Sequence, residues 1–224
     1  MLPGDAKVPT LTPTLERTRA EIIKDGVILC ARMGERDPIV DACRAAVRGG
    51  LRVLEITLTT PGALRAIEAL AADGNAIVGA GTVLTAEQAR AVKSAGGRFA
   101  LSPVLDPAVV AEAHRLEMLA VPGTASPTEI LAAHRCGARL IKVFPIGALG
   151  GPAFLRAVRG PFPEIPLVAT NGPTAGNLGD YFAAGAVAVG LGAEVFHDGY
   201  TLASVEAAAR KVRQAVTVHR AARE

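Results

Sequence analysis

The sequence predicts a (β/α)8 TIM barrel preceded by an N-terminal helix. Three observations carry that prediction. Eight short apolar, β-branched runs alternate with Ala/Arg/Glu-rich stretches of helical spacing. The runs recur roughly every 20 to 27 residues, the size of a βα unit. The helical stretches repeatedly close on glycine just before the next run ("AVRGG", "SAGG", "HRCG", "FAAG"), the C-terminal preference for a left-handed residue. The alternative architecture is an open, doubly wound sheet. It is disfavoured because every unit is complete and the first run lacks a GxGxxG turn.

Taken in order, a short Pro-containing lead over 1–11 is followed by a helix over 12–25. Thr12-Pro13 opens that helix, with proline at the first helical position, and "DG" ends it. The strands are expected at "GVILCAR" (26–32), "RVLEITL" (52–58), "AIVGAGT" (76–82), "RFALSP" (98–103), "MLAVPG" (118–123), "RLIKVFP" (139–145), "PLVATNG" (166–172) and "AVAVGLG" (186–192). Each is followed by a helical stretch, such as "AEQARAVKSAG" or "PTEILAAHRCG". Three successive strands are expected to end at proline, at Ser102-Pro103, Val121-Pro122 and Phe144-Pro145, because proline cannot donate to the ladder.

Composition supports one sizeable core and a single domain over 1–224: half of the 224 residues are hydrophobic. The net charge of +3 comes without a basic run or an aromatic-interleaved patch, so nucleic acid is not an expected partner. The three cysteines (Cys30, Cys43, Cys136) form neither CxxC nor a zinc spacing, which fits a reducing compartment. The N-terminus lacks the apolar core of a signal peptide. No apolar run reaches the roughly 18 to 20 residues that span a bilayer. A cytoplasmic protein without a membrane partner is expected.

In a barrel, chemistry sits at the C-terminal ends of the strands. Lys142 draws notice first. The chain holds five lysines against nineteen arginines, and Lys142 alone lies within an apolar strand. Burial disfavours the ammonium form, and a neutral amine is what attacks a ketone to give a Schiff base. The other reading is a lysine that reaches the rim or pairs with a carboxylate. Glu55, in "VLEITLTT", is a second charge inside an apolar strand. Alternation places Val53, Glu55, Thr57 and Thr59 on one face, and Leu54, Ile56 and Leu58 on the other. Glu55 is a candidate proton shuttle or, alternatively, an ion-pair partner of Lys142 or Arg32. Arg32 ends the first strand and has the fork geometry that holds a carboxylate, or is an ordinary rim arginine. Thr82 closes "GAGT", where Gly79 and Gly81 would let backbone approach a ligand. "ATNG" and "VGLGAE" end the last two strands with small residues that expose backbone N–H groups to a phosphate, or simply make tight turns. The histidines (His114, His134, His197, His219) receive no role, and no cluster of ligating residues points to a metal.

The ordered motifs "LEITLTTP", "IVGAGTVLT", "FALSPVLD", "VPGTASPTE", "IKVFP" and "RGPFPEIPLVATNG" resemble the 2-keto-3-deoxy-6-phosphogluconate (KDPG) / 4-hydroxy-2-oxoglutarate (KHG) aldolase family, over residues 15 to 215 or so. The resemblance implies a class I aldolase, needing no metal or cofactor, that cleaves a 2-keto acid reversibly to pyruvate and an aldehyde, and that assembles as a homotrimer. By similarity Lys142 matches the Schiff-base lysine and Glu55 the general acid/base. Arg32 and Thr82 match positions that hold the pyruvate carboxylate. Thr59 stands where some members carry arginine, and others, like this chain, have threonine and rely on the strand 1 arginine. Asn171, Gly172, Gly190 and Gly192 match the phosphate pocket. Two departures fall there: Asn171 replaces the first glycine of the usual TGG, and Ala193 replaces a serine found in many members. A phosphosugar isomerase or epimerase using Glu55 as base, and a non-catalytic trimeric barrel of aldolase descent, are the alternatives.

Overall fold

Thr12 starts the first helix among the described residues. Its hydroxyl accepts a hydrogen bond from the Leu15 N–H at 3.4 Å, Pro13 takes the first helical position, and helix α1 (Pro13–Asp25) ends at Gly26, whose φ is 82°. The computed structural model describes residues 10–35 and 38–221. Most of the N-terminal lead expected over 1–11 lies outside them. Eight βα units follow, as the alternation predicts. They are β1 (Val27–Ala31) and α2 (Ile39–Arg48), β2 (Val53–Thr57) and α3 (Ala63–Ala72), β3 (Ile77–Gly81) and α4 (Ala86–Ser94), then β4 (Phe99–Leu101) and α5 (Pro107–Arg115). The fifth unit has two strand pieces, β5 (Leu119–Val121) and β6 (Gly123–Thr124), before α6 (Pro127–Arg135). The last three are β7 (Ile141–Val143) and α7 (Pro152–Arg159), β8 (Leu167–Thr170) and α8 (Leu178–Ala183), and β9 (Ala188–Leu191) and α9 (Leu202–Ala221).

All strand pairings are parallel, in the order β5-β4-β3-β2-β1-β9-β8-β7-β6. The two ends of this order, β5 and β6, are consecutive in sequence and separated only by Pro122. Nine pieces therefore fill eight barrel positions. The expectation that proline ends each strand is corrected here. Pro122 has no N–H to donate, but its carbonyl accepts from the Lys142 N–H at 2.9 Å, so the strand changes partner from β4 to β7 instead of stopping. Pro103 and Pro145 do lie just beyond β4 and β7.

Strand alternation divides the apolar residues into two clusters. Leu29, Leu54, Ile56, Ala100, Ile141, Val143, Leu167 and Val189 face outward to the helices. Ile28, Val53, Phe99, Leu119, Leu140, Val168 and Ala188 face the lumen, together with Leu15 and Ile22 of α1. Helix α1 thus covers the N-terminal end of the barrel. Its register is supported by Arg98 at the foot of β4, which donates to Thr18 Oγ1 at 3.1 Å and pairs with Glu21. The lumen is filled by apolar side chains at this end, and polar side chains begin only above them: Cys30, Glu55, Thr57, Ser102, Lys142 and Thr170. Truncating a side chain as large as Phe99, which is fully buried, would cost about 3–5 kcal/mol. The closing glycines behave as their spacing predicts: Gly50, Gly96, Gly137 and Gly185 all have φ between 88° and 98°. Among the described residues, no helix is long and apolar enough to cross a membrane.

Candidate active site

Lys142 is the middle residue of β7. Its neighbours Ile141 and Val143 belong to the outward cluster, so the twofold period of the strand sends Lys142 into the lumen. The side chain is 8% exposed. Its Nζ lies 4.8 Å from the centroid of the Phe144 ring, within cation–π range. The backbone around it is tied on both sides. The Thr124 hydroxyl donates to the Lys142 carbonyl at 2.9 Å, and the Thr170 hydroxyl donates to the Val143 carbonyl at 3.1 Å. A long, rotamer-rich side chain is therefore anchored on a rigid strand.

Glu55 enters the same lumen from β2 and is 3% exposed. Burial raises its pKa above the ordinary carboxylate value, and the Lys142 charge, the Cys30 hydrogen bond and the Arg32 charge draw it partly back. The ion-pair reading of Glu55 does not describe this geometry. Both cations act on it through space, while its direct partner is the Cys30 thiol, which donates to Oε1 at 3.6 Å. Burial, and then the Glu55 charge, push the Cys30 thiol well above the usual range, so it stays a donor.

Gly81 explains how a carboxylate fits here. A Cβ on Gly81 would stand 1.7 Å from Glu55 Oε1, and one on Gly79 would meet the Phe99 ring at 2.5 Å. The sequence reading reserved these glycines for a ligand. The structure shows that they make room for the lumen's own side chains.

Arg32 projects from the end of β1 between two threonines. Its Nη1 donates to Thr59 Oγ1 at 2.7 Å and its Nη2 to Thr82 Oγ1 at 3.4 Å. Thr59 Oγ1 in turn donates to Thr57 Oγ1 at 3.3 Å, and Thr57 Oγ1 lies 3.0 Å from Thr60 Oγ1. Thr82 has φ of 59°, an unusual place for a β-branched residue and one that costs about 1–3 kcal/mol. That backbone turn directs its hydroxyl at Arg32. A guanidinium has five donors. Two contacts fix this one, and N–H groups remain to grip a carboxylate at the mouth.

The fourth group of expected residues lies at the ends of β8 and β9, between β7 and β1. Asn171 adopts the left-handed conformation its residue type allows, with φ of 63°, and is exposed. Its carbonyl accepts from the Gly147 N–H at 2.9 Å. Gly172 leaves space for the Tyr181 hydroxyl, 2.5 Å from where a Cβ would lie. Gly190 and Gly192 similarly clear Thr170 and the Cys30 carbonyl. These glycines therefore have packing duties whatever else they do.

The barrel brings Lys142, Glu55, Arg32, Thr59 and Thr82 together at one mouth, with Asn171, Gly172, Gly190 and Gly192 on the two strands beside Lys142. Sequence reasoning missed Cys30, although its signal was present: it has the parity of Arg32 on β1 and stands in register with Glu55. Glu194 was also missed. It accepts from the Ala175 N–H at 2.7 Å, and no local pattern announces that contact.

The family model for KDPG and KHG aldolase matches residues 18–208. The 2-dehydro-3-deoxy-phosphogluconate aldolase of Treponema pallidum is 37% identical over 175 residues, covering 78% of this chain and 80% of the relative. That of Pseudomonas aeruginosa is 40% identical over 158 residues, covering 70% of each. Among solved structures, the KDPG aldolase of Legionella pneumophila, with pyruvate captured as a covalent carbinolamine intermediate, superposes with a TM-score of 0.77 at 29% identity, covering 90% of this chain and 97% of that one. The family model spans most of the chain and the relatives exceed 30% identity over more than two thirds of it, so the chain belongs to the KDPG and KHG aldolase family.

Proposed function

We propose that the protein is a class I aldolase that cleaves a 2-keto acid bearing a hydroxyl at C4 to pyruvate and an aldehyde, with Lys142 as the Schiff-base residue. The observation that carries this is a buried amine on β7 sharing a lumen with a buried, protonation-prone carboxyl and a braced arginine. Arg32, held by Thr59 and Thr82, binds the substrate carboxylate. The Lys142 amine attacks the C2 ketone, and loss of water from the carbinolamine gives an iminium. Glu55 takes the proton of the C4 hydroxyl. The C3–C4 bond then breaks, its electron pair flows to the iminium as an enamine, and the aldehyde leaves. Glu55 returns the proton to C3, and water releases pyruvate from Lys142. The raised pKa of Glu55 suits a carboxyl that must return a proton as well as accept one.

The test is borohydride reduction in the presence of pyruvate, followed by peptide mass spectrometry. A reduced pyruvyl adduct is expected on Lys142 and absent in Lys142→Arg. Adduct formation elsewhere, or aldol turnover surviving in that variant, would refute the assignment.

A homotrimer is the assembly proposed, from the family resemblance. Leu64 in the first turn of α3, with Leu84 and Val104 on the next two βα connections, supports it: they remain 40%, 43% and 52% exposed, apolar surface that a second copy would cover. Light scattering on the wild type and on Val104→Glu tests this, the variant being expected to dissociate. A wild-type monomer would refute it.

A further inference from the structure

Three threonine hydroxyls gather at the end of β2, and their hydrogen bonds have one consistent direction. Arg32 Nη1 donates to Thr59 Oγ1 at 2.7 Å, and Thr59 Oγ1 donates to Thr57 Oγ1 at 3.3 Å. The Met33 N–H donates to Thr60 Oγ1 at 3.2 Å. A hydroxyl has a single proton. Thr57 gives its own to the Ala31 carbonyl at 3.3 Å, so in the 3.0 Å contact between Thr57 and Thr60 the donor is Thr60. Thr57 therefore accepts twice and donates once, which fills its capacity. It is fully buried, and Thr60 is 3% exposed.

The network ends on three consecutive residues of one segment. It takes Ala31 by its carbonyl, Arg32 by its guanidinium and Met33 by its N–H. Arg32 itself is exposed. An exposed arginine samples many rotamers and loses that freedom when it grips a ligand. Here one buried hub holds the side chain and the backbone on either side of it, so part of the ordering precedes the ligand. Thr57 has no hydrogen-bonding capacity left for a substrate. Its hydroxyl acts through Arg32 or serves the strand end alone.

We infer that Thr57 and Thr60 are positioning residues for Arg32: through Thr59 and the backbone of residues 31 and 33 they hold the guanidinium ready for the pyruvate carboxylate, without touching it. This rests on the aldolase reading above and adds two residues to its substrate-binding apparatus. A merely structural role at the end of β2 would lower Tm on substitution and leave the response to pyruvate unmoved.

The experiment measures C3 proton exchange of pyruvate as a function of pyruvate concentration, with borohydride trapping of pyruvate on each preparation. Thr57→Val keeps the shape of the side chain and removes the hub hydroxyl, and Thr57→Ser keeps the hydroxyl. Thr57→Val is expected to raise the KM for pyruvate by about tenfold with kcat changed by less than about threefold, the split of an interaction lost equally in ground and transition states. Thr57→Ser is expected to restore KM to within about threefold of wild type. In an Arg32→Ala background Thr57→Val should add almost nothing, because both changes remove one interaction. An unchanged KM in Thr57→Val overturns the inference, as does a KM effect of equal size with and without Arg32. Should Thr57→Val fail to fold, Thr60→Val carries the same comparison, with KM expected to rise by about threefold or more and an unchanged KM overturning the inference. If trapping at Lys142 succeeds in these cases, only the role of the threonines falls. If trapping fails in the wild type, the aldolase reading falls and this inference with it.

Discussion

Gly81→Ala asks whether the carboxylate of Glu55 must sit where the barrel places it. The backbone at Gly81 is not in the left-handed region, so alanine is conformationally allowed and the effect is steric. The added Cβ would stand 1.7 Å from Oε1, 2.5 Å from Cδ and 2.8 Å from Cγ of Glu55. Carbon–oxygen contacts below 3.0 Å are not sustained, so the carboxyl must move by more than an ångström. That shift takes it from Cys30 Sγ, its only direct partner among the described residues. Overpacking of this kind destabilises by about 1–3 kcal/mol, or a few degrees in Tm for a domain of this size. A displacement of about 1 Å in a group that transfers protons costs on the order of 10²-fold in rate. The variant is therefore expected to trap pyruvate on Lys142 with near-normal affinity while C3 proton exchange of pyruvate falls by about two orders of magnitude. The two steps separate because amine attack depends on β7 and carboxylate binding on Arg32, neither of which touches Gly81. Exchange within threefold or so of wild type would refute the claim that the position of Glu55 limits the chemistry. A lost affinity for pyruvate with intact exchange at saturation would restore the reading in which Gly81 makes room for the ligand.

Three further outcomes follow from the same geometry. Arg32→Lys keeps the charge and loses the fork braced by Thr59 and Thr82, so the KM for pyruvate should rise by about tenfold or more with a smaller change in kcat; an unchanged KM would remove Arg32 from carboxylate binding. Glu55 has a folded pKa above its ordinary 4.5, so between the unfolded and folded values the folded protein holds more protons, and stability falls as pH rises through that window. Glu55→Gln should lack this loss, and denaturant melts should show the variant gaining on the wild type as pH rises from about 4.5, the reverse trend counting against burial as the cause. Cys30 lowers the pKa of Glu55 by its hydrogen bond, so Cys30→Ala should move the Glu55 limb of the pH–rate profile upward, and Cys30→Ser, a stronger donor, downward; a common shift in both variants would sink that role.

The strands were legible because a barrel imposes two independent regularities. Period-two alternation marks each strand, and the βα spacing marks their order. Lys142 and Glu55 stood out because each breaks the apolar pattern of its own strand, a violation visible without any partner. Arg32 was weaker evidence alone, since arginines are abundant here. What identifies it is the pair of threonines from β2 and β3, and those contacts exist only after the barrel closes. The same limit hid Cys30, which looks like any small apolar residue in "VILCA" until register sets it against Glu55. Pro122 was misread for a related reason. A proline's missing donor is local, but whether the neighbouring strand uses its carbonyl depends on the fold.

Two ionisable groups can share this lumen because its other end is dry and its walls are uneven. The apolar layer from Val53, Phe99, Leu119, Leu140 and α1 fills the barrel below Glu55 and Lys142. Desolvation acts on Glu55 in the direction that favours its neutral form, and the cations of Lys142 and Arg32 act in the opposite direction. If desolvation stood alone, Glu55 would hold its proton and have no means of taking one from a C4 hydroxyl. If the cations stood alone, it would stay ionised and have nothing to return to C3. In the proposed mechanism, the iminium keeps a positive charge on Lys142 Nζ at the step where Glu55 acts as a base, and hydrolysis of the imine frees the amine after Glu55 has returned its proton. The opposing influences on one carboxyl are thus timed by the covalent state of the other residue. The proposed mechanism thus requires both groups in one lumen on different strands, with Arg32 at the rim to fix the substrate between them.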